Sequence, residues 1–194
     1  MRMDAESGAG ISRERARELL GQHLKNRNLV NHCLASEAIM RSLARRLDGD
    51  PELWGITGLL HDLDLEMISA DPMRHALTAA AMLREEGLAP AACTAIERHN
   101  AEALGLARSE QLDFALASAE TITGLIVATA LVMPDRKLAS VKPKSVRKRF
   151  KDKRFAAGAS REIIIECEKL DLSLDQFIEL SLEAMCEIAD EIGL

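Results

Sequence analysis

Five histidines are spread through the 194 residues: His23, His32, His61, His75 and His99. The number is ordinary, but the placement is informative. His61 is followed at once by Asp62, where the apolar residues Trp54, Ile56, Leu59 and Leu60 give way to acids in "GLLHDLDLE". A His-Asp dipeptide alone reads two ways: a metal-binding pair at a helix end, or two polar residues that finish a helix. The other histidines bear on that choice. His32, His75 and His99 each fall near the end of a predicted helix, and Glu120 is the only acid between Ser118 and Met133. Neutral imidazole and carboxylate together suit divalent transition ions such as Mn, Fe, Ni, Co or Zn, with no need for thiolates. Adjacent helical side chains point about 100° apart. His61 and Asp62 therefore share one ion only near a helix end, or with Asp62 bridging two. His23 has no partner in the pattern and reads as a surface residue.

The elements that must position these groups are helical almost throughout. Ser12 predicts an N-cap for a helix carrying Ala16, Leu19, Leu20 and Leu24. A second helix, about 29–47, has Ala35, Ile39, Leu43 and Leu47 on one stripe and breaks at DGD. Asp50-Pro51 restarts helix, an N-cap followed by proline at the first helical position. Asp71-Pro72 repeats that signal before "HALTAAAMLREEG", with Gly87 as the stop. His75 would then lie in the first helical turns, where the dipole disfavours imidazolium and keeps a nitrogen lone pair free. Pro90 opens the next helix, and Ser109 a long one reaching Met133. Ser160 opens "REIIIECEKL", and Ser173 with Gln176 forms a capping box ahead of the last helix. The stretch 134–158 is the least regular, a loop with one or two short helices over the bundle. Strand alternation and internal repeats are absent. The expectation is an all-α, single-domain bundle of eight to ten helices over residues 1–194, with a core of about 13–133, a helical extension of about 134–194, and a metal site between helices.

Composition limits the functions open to such a bundle. Hydrophobic residues make up 47% and charged residues 29%, as in ordinary globular domains. The apolar run 122–133 is too short to span a bilayer, which takes roughly 20 residues, and "MRMDAESGAG" lacks an apolar leader. Four cysteines with no CxxC pair read as reduced thiols. A cytoplasmic protein with no membrane partner is expected. Between Arg136 and Arg154 lie ten Lys or Arg against the single acid Asp152, so that stretch carries +9 and the remainder −15 of the net −6. An acidic body disfavours nucleic acid, and the basic stretch is either a solvated helix face or a phosphate contact.

The order His, His-Asp, further His and a carboxylate resembles the HD-domain superfamily of metal-dependent phosphohydrolases. From about residue 13 the chain is similar to a bacterial group of HDIG-related predicted hydrolases, in "ELWGITGLLHDLD", "AIERHN", "TGLIVATALVMPDRKL" and "SVRKRFKDKRFAAG". The resemblance implies His32, His61 and Asp62 as core metal ligands, Glu120 as the final acidic ligand, and His75 and His99 as the extra histidines of two-metal members. It implies one or two divalent ions and hydrolysis of a nucleotide or other small phosphoester by metal-activated water. Asp62 would ligate or bridge. From the sequence itself, Asp64 and Glu66 read as solvated loop carboxylates or as acid/base or water-orienting groups. Two departures stand out: Glu120 replaces the usual Asp, and "HDLDLE" replaces the HDIGK form, with Asp64 at the Gly and Leu65 at the Lys position.

Arg74 and Arg98 each precede a candidate ligand and are candidate phosphate contacts. Lys142 and Lys144, with Arg147, would join them if the basic segment folds over the site. A di-iron oxygenase of the same superfamily, or a regulatory module in which Glu120 has weakened catalysis, are the alternative functions, since fold alone does not choose the chemistry. An oligomer is open.

Overall fold

A computed structural model describes residues 8–194, and the described residues form helices and turns with no strand. The expectation about the N-terminal leader falls mostly on residues 1–7, outside the described residues. Eleven α-helices occur among the described residues, three of them single turns of four residues, against the eight to ten expected.

The local signals place most starts. Helix α1 (Arg13–His23) begins where the Ser12 hydroxyl accepts the Arg15 N–H. Helix α2 (Arg27–Arg46) begins at Asn26, whose side chain accepts the Asn28 N–H. Asp50 caps α3 (Pro51–Leu60) by accepting from Glu52 and Leu53, with Pro51 at the first position. Helix α4 spans Leu77–Glu85, α5 Pro90–His99, and α6 is the turn Ala101–Leu104. Helix α7 (Gln111–Leu131) starts two residues later than Ser109 suggests, because Asp113 accepts the N–H groups of both Ser109 and Glu110. The irregular stretch contains a 3-10 turn, Leu138–Ser140, and α8 (Pro143–Phe150). Then follow α9 (Arg161–Ile164), continued by a 3-10 turn to Leu170, α10 (Leu174–Glu187) with its Ser173–Gln176 capping box, and α11 (Ala189–Ile192).

One start is corrected. Helix α4 begins at Leu77, not after Pro72, because residues 72–76 form turns and Ala76 adopts φ 72°. The Asp71 side chain accepts the N–H of Met73. The cap of α4 is instead Asp64, which accepts the Ala79 N–H at 2.9 Å from 15 residues upstream. A carboxylate there satisfies an orphan N–H and meets the positive end of the helix dipole.

The core sits where α2, α3 and α7 meet. Ile39, Met40 and Leu43 of α2, Ile56, Leu59 and Leu60 of α3, and Leu116 and Ile122 of α7 are all fully buried. Each large aliphatic chain so buried stabilises by about 1.5–3 kcal/mol. Trp54 packs into this core at 5% exposure, as its sequence context suggests. Gly58 sets the α2–α3 distance: a β-carbon there would lie 2.9 Å from the Ser36 carbonyl oxygen. Without that close approach His61 would stand away from His32.

Helix α7, at 21 residues, is longer than the apolar run 122–133 and is apolar enough by length and composition to cross a membrane, but 67% of its most apolar window is buried inside the bundle. That is how a core helix is placed. The C-terminal elements close over it: α8 and α9 pack on α7, and α10 on α2 and α7. Cys33, Cys93 and Cys167 are buried free thiols and Cys186 is exposed.

Candidate metal centre

Four imidazoles reach one point from four places in the chain. His32 stands on α2, His61 caps the end of α3, His75 lies in the turn before α4, and His99 is the last residue of α5. Glu120 comes from the middle of α7. His75 thus arrives from irregular chain rather than from helical first turns.

Each imidazole is anchored through Nδ1. His61 Nδ1 donates to the Gly58 carbonyl at 2.8 Å and His99 Nδ1 to the Ile96 carbonyl. Carbonyls only accept, so both nitrogens carry the proton. His75 Nδ1 donates to Asp64 Oδ1 at 2.8 Å. For His32 the partner is the Thr123 hydroxyl at 2.8 Å, whose own proton goes to the Glu120 carbonyl at 2.6 Å. Thr123 must therefore accept from His32. In the neutral rings all four Nε2 atoms are left as lone-pair donors.

Those donors face each other in pairs. His32 Nε2 lies 3.1 Å from His61 Nε2, and His75 Nε2 lies 3.0 Å from His99 Nε2. Two bare lone pairs at that distance repel unless a cation, ion or proton, stands with them. Two nitrogens about 2.0–2.1 Å from one ion, at about 90–109° to each other, are about 2.8–3.4 Å apart, so both pairs fit a shared metal. Asp62 sits between the pairs. Its Oδ2 is 3.4 Å from His32 Nε2, while its Oδ1 is 3.4 Å from His61 Nε2, 3.3 Å from His75 Nε2 and 3.6 Å from His99 Nε2. Ligand atoms of His32, His61 and Glu120 lie within 4.8 Å of one another, as do those of His61, Asp62 and His99. These buried groups could hold a metal ion.

The electrostatics keep His61 neutral and Asp62 charged, and set His75 apart. Burial depresses His61 to about 3, with Asp62 opposing, so its ring stays neutral. Burial works against Asp62, but the surrounding His61, His75, His99 and His32 hold it well below the usual carboxylate range. Burial also disfavours charge on His75, yet the hydrogen bonds and charges of Asp62 and Asp64 outweigh it and raise that ring to about 9. Imidazolium is therefore favoured there, against the neutral ring expected at a helix start, and a metal ion at its Nε2 would have to displace a proton. Burial raises Glu120, with His32 and His99 opposing.

The remaining candidates are placed differently. Asp64 is fully buried and uses one oxygen on His75 and the other on Ala79, so neither it nor Glu66 is a solvated loop carboxylate. Glu66 accepts the Lys25 and Asn26 N–H groups at the start of α2. Arg74 is exposed, and Arg98 pairs with Asp113 at 2.7 Å and donates to Ser109. Lys142 and Lys144 are exposed at the start of α8, and Arg147 there pairs with Asp175. None of these five is among the residues lining the cavity over the cluster.

Sequence reading missed three supports. Thr123 fixes the tautomer of His32. Asn100 lines the cavity and ties down the His75 segment, donating to the carbonyls of Pro72 and His75. Arg161 is 8% exposed and donates to six carbonyls, those of Arg149, Phe150, Asp152, Phe155, Ala156 and Ala159. It folds the loop whose end, Gly158–Ser160, lines the cavity. No signal within a few residues marks these roles, since Thr123 and Asn100 act on partners far along the chain and Arg161 reads as an ordinary helix-start arginine.

An all-helical bundle with a buried cluster of imidazoles and carboxylates between its helices is thus what this chain builds. The family model for the HD domain matches residues 29–130, and the chain belongs to the HD-domain superfamily of metal-dependent phosphohydrolases. No match was found among curated proteins or among solved structures.

Proposed function

We propose that the chain is a metal-dependent phosphohydrolase acting on a nucleotide or another small phosphoester. The observation that carries this reading is the two pairs of facing Nε2 atoms with Asp62 between them. In this reading His32, His61, Asp62 and Glu120 hold one divalent ion, and His75, His99 and Asp62 hold a second. Such ions, when bound, supply Lewis acidity: they polarise phosphoryl oxygens, lower the pKa of water and offset charge on the leaving oxygen.

The protein's part is to prepare that site. Nδ1 anchoring by Gly58, Ile96, Asp64 and Thr123 fixes each ring with Nε2 toward the centre, and such outer hydrogen bonds orient ligands and raise their basicity. Asp62 stays ionised and serves both halves. A cavity of about 420 Å³ opens over the cluster, within the range of small-molecule sites. His75 and His99 line it, and either one, where not committed to a metal ion, could pass a proton to a departing oxygen.

Elemental analysis with a phosphoester panel tests the reading. Purified protein loaded with Mn, Ni, Co or Fe is expected to bind transition metal in near-integral amounts and to release phosphate from at least one small ester. Binding of under about a tenth of an equivalent, unchanged in His61→Ala, would remove the metal site. Bound iron with turnover that requires O₂ and releases no phosphate would favour oxygenase chemistry instead.

A further inference from the structure

The cavity over the cluster carries formal charge from Asp62, Glu102 and Glu120 and from whatever the imidazoles bind. Among the described residues, no lysine or arginine lines it. The guanidinium that reaches its wall is that of Arg108, whose side chain is 4% exposed; its two terminal nitrogens are committed, while its Nε is buried without a partner. It donates to both oxygens of Glu102, to Glu166 and to the His99 carbonyl. The wall otherwise includes the small uncharged residues Gly124, Gly158, Ala159 and Ser160. The ten cations of 136–154 stand outside this lining.

We infer that the site takes a single terminal phosphoryl group on an uncharged polar leaving group and discriminates against nucleoside di- and triphosphates. This rests on the metal-dependent reading above. Two divalent ions held by the carboxylates Asp62 and Glu120 leave a surplus of two positive charges. One phosphomonoester dianion cancels that surplus. Each further phosphate brings charge that no side chain of the lining offsets. Sites for polyphosphates instead clamp the added charge with arginine, lysine or extra ions.

The test is calorimetric binding to the metal-loaded protein at one buffered free-metal concentration. The probes are non-hydrolysable phosphonate analogues of one nucleoside's mono- and triphosphate. The monophosphate analogue is expected to bind tighter by about tenfold or more, since like-charge contacts in such a site cost at least that much. Gly124→Lys adds a cation to the wall; its β-carbon would lie 3.9 Å from that of Ala159, an ordinary contact. Gly158→Lys does so where a β-carbon meets nothing within 4 Å. Both variants are expected to shift the preference toward the triphosphate analogue by about tenfold. Equal or tighter binding of the triphosphate analogue by the native protein overturns the inference. So does failure of the monophosphate analogue to bind, or an unchanged preference in both folded variants. The two readings fail separately. Monophosphate selectivity with no turnover of any phosphoester removes only the hydrolase, whereas hydrolysis that favours triphosphates removes only the selectivity.

Discussion

Oδ1 of Asp64 lies 2.8 Å from Nδ1 of His75, and Oδ2 of the same carboxylate accepts the Ala79 N–H at 2.9 Å. One buried side chain therefore orients a ligand and caps the helix that follows it. An asparagine at position 64 has a single acceptor oxygen and can serve only one of these donors. Asp64→Asn is expected to weaken metal binding in the His75–His99 half by about 10- to 100-fold while the His32–His61 half keeps its ion. Metal titration with stoichiometry checks this; equal loss from both halves would show that they are not separately supported.

Thr123 plays the corresponding part for His32. Thr123→Val keeps the shape but removes the acceptor for His32 Nδ1–H, and Thr123→Ser restores it. The valine variant is expected to lose about tenfold in metal affinity, and the serine variant to recover most of it. Comparable melting temperatures of the two metal-free variants would separate ring orientation from packing.

Metal removal should destabilise the whole bundle, because the ligands come from α2, α3, α5, α7 and the turn before α4. Free metal at about 100 times its Kd stabilises by about 2.7 kcal/mol. For a chain of this length that corresponds to about 5–10 °C in Tm. Calorimetry with and without chelator is expected to show a shift of that order in the native protein and a smaller one in His61→Ala, which loses a ligand of one half only.

Arg161 gathers six backbone carbonyls within the loop 149–159. Arg161→Met leaves those acceptors without their donor and is expected to cost about 3–5 kcal/mol. Arg161→Lys should recover little, since three donors on one nitrogen cannot span the guanidinium's fork. Limited trypsin digestion provides the readout: cleavage at Lys151, Lys153 and Arg154, all exposed, should accelerate in both variants.

The features legible in the sequence were those decided within a few residues. Ser12, Asp50-Pro51 and Ser173–Gln176 start their helices as read, because an N-cap bonds the backbone two or three positions on. The clustering of His32, His61, Asp62, His75, His99 and Glu120 was legible because few other residue types suit a metal. Asp71-Pro72 misled because its cap competes with a distant group: Asp64 takes Ala79, Asn100 holds the Pro72 and His75 carbonyls, and the helix waits until Leu77. Glu66, which looks like a loop acid, meets Asn26 from 40 residues away. Such tertiary hydrogen bonds leave no periodic trace.

The two halves of the centre are also mounted unequally. His32 and His61 stand on α2 and at the end of α3, packed against the core, whereas His75 hangs on a run of turns between α3 and α4 that ends in left-handed Ala76. Along that run and at the head of α4, Met67, Met73 and Leu77 are 47%, 61% and 41% exposed. Segments with few buried contacts open first, without global unfolding. Were each half to hold an ion, exchange would be expected to begin in the His75 half, with the His32–His61 half on the slower clock of the helices that carry it.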